Sequence, residues 1–162
     1  MLTGCGGDAL KEYNGTTPVM TFEEFFNGPM LAQGFVQNRS GKVIRRFDIE
    51  MNGTWTGDTG TLDERFTYYD GETMHRAWNI RKVGQNKYIG TASDIVGEAT
   101  GESRGSAIRW KYVMQVPVDG TTYNITFDDW MFRMNGDTVM NRSYMSKFGF
   151  SVGEVTVVMR KL

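Results

Sequence analysis

Two carboxylates stand side by side at Asp128 and Asp129, inside a run of aromatic and apolar residues. Neighbouring side chains of a regular strand point to opposite faces, so both acids reach one site only where an extra residue bulges the strand. Brought together, paired acids can divide acid and base work if their environments push their pKa values apart. The apolar pattern around them moves from Tyr123, Ile125 and Phe127 to Trp130, Phe132 and Met134, a change of phase that predicts a bulge at 128–129. Arg142 and Lys147, across the Asn135-Gly136 turn, are the expected ion-pair partners of this pair. Other chemistries lack parts. With His75 as the one histidine and no Gly-x-Ser-x-Gly, serine hydrolysis has no base to call on. Asp63-Glu64 and Asp94 with Glu98 offer oxygen ligands without the spacing of a calcium loop, so neither metal nor cofactor is expected.

A second constellation is spread over several strands. Alternation puts Val43, Phe47, Ile49 and Met51 on one face, with Arg45 among them. Leu62, Phe66 and Tyr68 share a face with Glu64; Met74, Trp78 and Ile80 share one with Arg76. Ile108, Trp110, Tyr112, Met114 and Val116 form an unbroken apolar face. A charge buried alone costs several kcal/mol, so these residues must pair, reach solvent or meet a ligand. Three readings stay open: an internal ion-pair cluster in a filled interior, a register one residue off that places the charges outside, or a cavity. In the last, Arg45, Arg76 and Arg142 would face the anionic head of an amphipathic ligand. Glu64 would lie beside them, with Trp78, Trp110, Tyr112, Phe127 and Trp130 as walls.

The elements that position these residues are strands. Asn52-Gly53, Asp70-Gly71, Asp119-Gly120 and Asn135-Gly136 separate aromatic and β-branched runs, as tight hairpins require. Gly84-Gln85-Asn86 and Ser103-Arg104-Gly105 are softer turn signals. The implied strands are 31–38, 43–51, 61–69, 72–82, 87–93, 95–102, 106–117, 121–134, 138–148 and 152–161. Before them, Thr21-Phe22-Glu23-Glu24-Phe25-Phe26 predicts a short capped helix with one phenylalanine face. The expected fold is all-β: an antiparallel up-and-down meander of 8–10 strands closing into a lipocalin-like barrel, which leaves no open edge. Gly53-Thr54-Trp55 has the Gly-x-Trp form of a lipocalin's first strand but follows the second predicted strand, and is read as coincidence.

The 162 residues, 40% hydrophobic and 23% charged, suit a single folded domain over 21–162. A net charge of −1 leaves no basic surplus for nucleic acid. No run of ~18 apolar residues exists to span a bilayer as a helix. Residues 1–20 read as a lipobox remnant and tether. Leu2-Thr3-Gly4-Cys5 matches the end of a bacterial lipoprotein signal peptide, whose cysteine accepts the lipid. The basic and apolar segments of such a signal would stand upstream of Met1. Gly6 after the cysteine, rather than Asp, favours the outer membrane.

Seven segments carry a family resemblance. They are Gln37-Asn38-Arg39-Ser40-Gly41-Lys42-Val43, Gly60-Thr61-Leu62-Asp63-Glu64, Tyr69-Asp70-Gly71-Glu72 and Asp94-Ile95-Val96-Gly97-Glu98-Ala99, then three near the C-terminus. Those three are Phe127-Asp128-Asp129-Trp130-Met131, Asn141-Arg142 with Met145-Ser146-Lys147-Phe148-Gly149, and Val152-Gly153-Glu154-Val155-Thr156. Over residues 17–160 the chain closely resembles domain-of-unknown-function family 3833, a group of proteobacterial lipoproteins. The resemblance implies lipidation at Cys5 and a periplasm-facing domain; it brings no catalytic residue and no substrate. The leading expectation is a monomeric, non-enzymatic envelope barrel binding a lipid or other amphipathic anion. The alternatives are an enzyme using Asp128 and Asp129 on a lipid or small hydrophobe, and an interaction lipoprotein with a filled barrel.

Overall fold

Alternating apolar and polar positions, broken by tight turns, produce ten antiparallel strands in the computed structural model, which describes residues 9–162. They are β1 (Gly28–Asn38), β2 (Val43–Thr56), β3 (Thr59–Tyr68), β4 (Thr73–Gly84) and β5 (Lys87–Thr91), followed by five more. These are β6 (Ile95–Arg104), β7 (Ala107–Val118), β8 (Thr121–Arg133), β9 (Thr138–Lys147) and β10 (Phe150–Lys161). Each strand pairs with its sequence neighbours, and β1 also pairs with β10, so the meander closes into a barrel with no free edge. The expected fold class is the observed one.

An up-and-down barrel has two distinct ends. The β2–β3, β4–β5, β6–β7 and β8–β9 turns share one end with the start of β1; the other five turns form the opposite end. Helix α1 (Phe22–Phe25) plugs the first. Thr21 caps it, its Oγ1 accepting from the Glu24 amide at 3.3 Å. Met20, Phe22, Phe25 and Phe26 are all buried beneath this plug, each contributing about 1.5–3 kcal/mol by removal from water. Phe22 packs edge-on against Tyr88 and Trp110, with ring centroids at 4.9 and 5.0 Å. Polar clasps fix the plug to the wall: Lys82 Nζ and the Tyr88 hydroxyl both reach Glu23 at 2.7 Å, and Arg133 Nη1 donates to the Val19 carbonyl at 2.7 Å.

Three local expectations are corrected. Asn52-Gly53 is no turn: β2 runs on to Thr56 and turns at 57–58. Gly53 is there because the helix end crosses it, and a Cβ would lie 1.8 Å from the Phe26 carbonyl oxygen. Trp55, two residues on, donates from Nε1 to that same oxygen at 3.1 Å. Ser103 and Arg104 lie within β6, and the turn falls at 105–106. Nor is there a bulge at 128–129, since β8 pairs with β7 one for one from Thr121 to Phe132. Ile125, Phe127, Asp129 and Met131 therefore all point inward, while Asp128, Trp130 and Phe132 point outward. The outward aromatics have a tertiary cause. A 3₁₀ turn, Ala9–Tyr13, lies on the outer wall and sets Tyr13 against Trp130 and Phe132 at 6.3 and 5.3 Å. Residues 9–20, expected as tether, thus pack on the barrel, with Leu10 and Met20 buried and the Met20 amide donating to Gly105 at 2.8 Å.

Candidate functional site

The barrel interior holds a cavity of about 390 Å³. Its floor is the plug, through Phe22 and Phe26, and its walls run up to Ile44, Val116, Pro117 and Val118 at the unplugged end. Most of the lining is aliphatic, aromatic and methionine side chains. Around the mouth, all five turn regions expose apolar residues: Val43 and Ile44, Tyr69, Val96, Val118, and Phe148 with Phe150. Phe148 is 87% exposed.

Halfway up the cavity a belt of polar side chains interrupts the apolar wall. Strands β3 and β4 place Glu64 opposite Arg76, and Arg76 Nη1 donates to Glu64 Oε2 at 3.2 Å. Asp94, on the β5–β6 turn at the mouth, reaches back to Arg76. It accepts from Nε on both oxygens at 3.0 Å and from Nη2 at 2.8 Å. Met114 Sδ takes a further Nη2 contact at 3.5 Å. Burial works against the Arg76 charge, but Glu64 and Asp94 outweigh it and hold the guanidinium firmly protonated. Burial raises the Glu64 carboxyl above its ordinary range, with Arg76 opposing.

Across the belt, β8 delivers Asp129 between Tyr112 of β7 and Ser143 of β9. The Tyr112 hydroxyl donates to Asp129 Oδ2 at 3.1 Å and the Ser143 hydroxyl to Oδ1. Burial pushes the Asp129 carboxyl up to about 7 even so; the two hydroxyls lower it, and the Asp128 and Glu64 charges add to the rise. Burial and Asp129 together raise Tyr112 well above the usual phenol range. Asn141 also lines the cavity, and its buried Oδ1 has no hydrogen-bond partner. Tyr112 stacks on Phe127 with centroids at 5.2 Å and planes 7° apart, and meets Trp78 edge-on at 5.3 Å.

The structure sorts the expected site residues. Arg45, Glu64, Arg76, Trp78, Trp110, Tyr112, Phe127 and Asp129 all line the cavity. Arg142 and Trp130 do not: they face each other on the outer wall, where Arg142 Nη2 pairs with Glu154 at 2.8 Å and Trp130 lies under Arg109 at 4.9 Å. Asp128 is outside as well, with both oxygens held by Arg109 at 2.8 Å, so Asp128 and Asp129 share no site. Neither Arg142 nor Lys147 pairs with them; Lys147 lies over the Tyr123 and Phe148 rings. The arginines are not an open anion site. Arg45, at the mouth, is met by Asp70 at 3.1 Å and by Glu72, and lies 3.4 Å over the Tyr68 ring. Arg76 is clamped as described. Cys5 falls outside the described residues.

Asp94, Asn141 and Ser143 are the belt members that sequence reasoning missed. Counting by twos along β9 from buried Val139 would have reached Asn141 and Ser143. Asp94 sits in a turn, where no periodicity speaks.

A family model described as "Protein of unknown function (DUF3833)" matches residues 1–161. No curated protein matches the chain in sequence. Among solved structures, the S-type phycobiliprotein lyase CPES from Guillardia theta superposes with a TM-score of 0.65. The two are 11% identical, and the match covers 88% of this chain and 93% of that one. At that identity the likeness speaks to the lipocalin-like architecture alone.

Proposed function

The chain belongs to the DUF3833 family of unknown function, and on that premise we propose that it is an envelope lipoprotein whose barrel binds a small hydrophobic or amphipathic ligand, such as a lipid. The observation that carries the reading is the cavity of about 390 Å³, sealed by the phenylalanine plug at one end and rimmed with apolar residues at the other. A barrel used only as a rigid scaffold would gain stability by filling that space, because empty volume costs packing energy. The lyase neighbour shares the barrel architecture and lends no chemistry.

Cys5 is the proposed lipid attachment point, with the barrel facing the periplasm from the outer membrane. Three residues lie between Cys5 and Ala9, so the chain between their Cα atoms spans at most about 14 Å. Tyr13 packs against the outer wall near the plugged end. An anchor at Cys5 would therefore hold that end by the bilayer and turn the mouth away, leaving it free to exchange ligand.

Native mass spectrometry of the full chain, gently extracted from its own cells, tests the binding. A reproducible co-purified small molecule supports it. An unliganded protein that also fails to take up a neutral apolar dye overturns it. Membrane fractionation of wild type and Cys5→Ser, each behind a complete signal peptide, tests the anchor; equal solubility of the two would remove it.

A further inference from the structure

Counting donors and acceptors around the belt gives the kind of head group it fits. Arg76, Tyr112 and Ser143 spend their donors within the belt: Arg76 on Asp94, Glu64 and Met114, Tyr112 and Ser143 on Asp129. Acceptors remain in surplus. Asp129 receives two hydrogen bonds, whereas a carboxylate has about four lone-pair sites, and Asn141 Oδ1 receives none. Charge runs the same way: Glu64 and Asp94 take the Arg76 guanidinium between them, while Asp129 across the belt is met by hydroxyls and not by a cation. Tyr112 reaches Asp129 through its hydroxyl, and Phe127 and Trp78 pack on the face and edge of the Tyr112 ring, so the carboxylate lies at the rim of an aromatic cluster. A carboxylate flanked by aromatic rings is the setting that attracts an organic cation, through charge and through the ring quadrupole together.

We propose that the belt binds the amine or other cationic, hydrogen-bond-donating head of an amphipathic ligand, with Asp129 as its counter-ion and the ligand's apolar part in the rest of the cavity. This reverses the anionic head expected from the arginines: Arg45 and Arg76 are already neutralised by acids, and Arg142 is paired with Glu154 on the outer wall. The inference rests on the cavity being a ligand site. Asp129 left without a cation lies buried beside two acids, and that is an unfavourable position which a bound ammonium would relieve.

The test uses the full-length protein with a neutral fluorescent probe, 1-N-phenylnaphthylamine, displaced by decylammonium, decanol or decanoate below their micelle concentrations. Decylammonium is expected to compete at a concentration about tenfold or more below that of decanoate. In Asp129→Asn the probe still binds, and the amine's advantage falls to within about twofold. Decanoate competing as well as the amine in wild type overturns the cationic head while leaving the cavity reading intact. An undiminished preference in folded Asp129→Asn also overturns it. Failure of wild type to bind the probe or any decyl compound overturns the cavity reading, and this inference with it. The wild-type ranking needs no variant, so a misfolded Asp129→Asn leaves the test in force.

Discussion

The Tyr112 hydroxyl donates to Asp129 Oδ2 across 3.1 Å, while the ring of the same tyrosine stacks on Phe127 two residues before that acid. The contact is fixed by register, since Tyr112 of β7 pairs with Phe127 of β8, so the tyrosine covers the strand that carries the carboxylate. Asp129 is thus held from two sides yet buried, and its proton equilibrium falls near neutrality. Around it stand Tyr112 on β7, Ser143 on β9, Glu64 on β3 and, beyond Glu64, Arg76 on β4 and Asp94 on the β5–β6 turn.

That position predicts a pH dependence with a definite sign. The Asp129 carboxyl titrates at about 7 in the folded chain and at about 3.9 when unfolded. Between those values the folded state keeps a proton that unfolding releases. The stability Asp129 contributes is fully present below about pH 4 and is lost as pH rises to about 7, by roughly 4 kcal/mol at most. Urea unfolding of wild type and Asp129→Asn from pH 4.5 to 8 should show wild type losing ground to the variant as pH rises. Glu64 is raised too and is present in both proteins, so only its coupling to the Asp129 charge enters the difference. A difference flat in pH would show that Asp129 is ionised throughout.

Arg76 makes the second prediction. Its guanidinium joins Glu64 and Asp94 in a nearly dry environment. Replacing one member of a buried ion cluster leaves the others uncompensated, so Arg76→Leu should lower the unfolding free energy by about 3–5 kcal/mol. Adding Glu64→Gln should recover part of that loss, because it removes one stranded charge. Guanidinium denaturation of Arg76→Leu, Glu64→Gln and the double variant against wild type measures the coupling. A loss under about 1 kcal/mol for Arg76→Leu would mean water reaches the cluster.

The barrel was legible because its signals are local. Period-two runs and Asp-Gly or Asn-Gly turns set strand boundaries to within a few residues, and Arg45, Glu64 and Arg76 stood out as charges in apolar phase. The errors arose where a distant segment decides a face. Trp130 and Phe132 look like core residues until Tyr13 covers the outer wall beside them. Gly53 resembles a hairpin glycine until the backbone of Phe26 crosses it. Asp94 belongs to the belt because a turn folds inward, which no alternation encodes.

The turn between β9 and β10 carries a local conflict that yields a third prediction. Phe148 has φ of 50° ahead of Gly149 at 79°, a left-handed pair that Asn-Gly adopts far more readily. Its ring is exposed, so little burial offsets the strain. Phe148→Asn should therefore stabilise the protein by about 0.5–1 kcal/mol, raising the melting temperature by roughly 1–4 °C. Thermal unfolding by circular dichroism decides it, and a lower melting temperature would show that the ring packs in solution.

The last prediction separates the inside of the barrel from its wall. Phe127 and Trp130 lie three residues apart on β8, yet Phe127 lines the cavity and Trp130 faces outward beneath Arg109. Both truncations remove aromatic packing and should destabilise, by about 3–5 kcal/mol for Phe127→Ala and less for the half-buried Trp130→Ala. Their effects on ligand should diverge. Phe127→Ala takes away the ring beneath Tyr112 and is expected to weaken probe binding by about tenfold, through lost contact and a Tyr112 free to move. Trp130→Ala should leave affinity within about twofold of wild type, and so should Arg142→Ala, whose partner is Glu154 on the outer wall. Affinities are compared at a temperature where circular dichroism shows each variant fully folded, so that stability does not enter the ratio. Equal losses from Phe127→Ala and Trp130→Ala would place the ligand on the outer surface of β8, and the cavity would then be no more than space the core failed to fill.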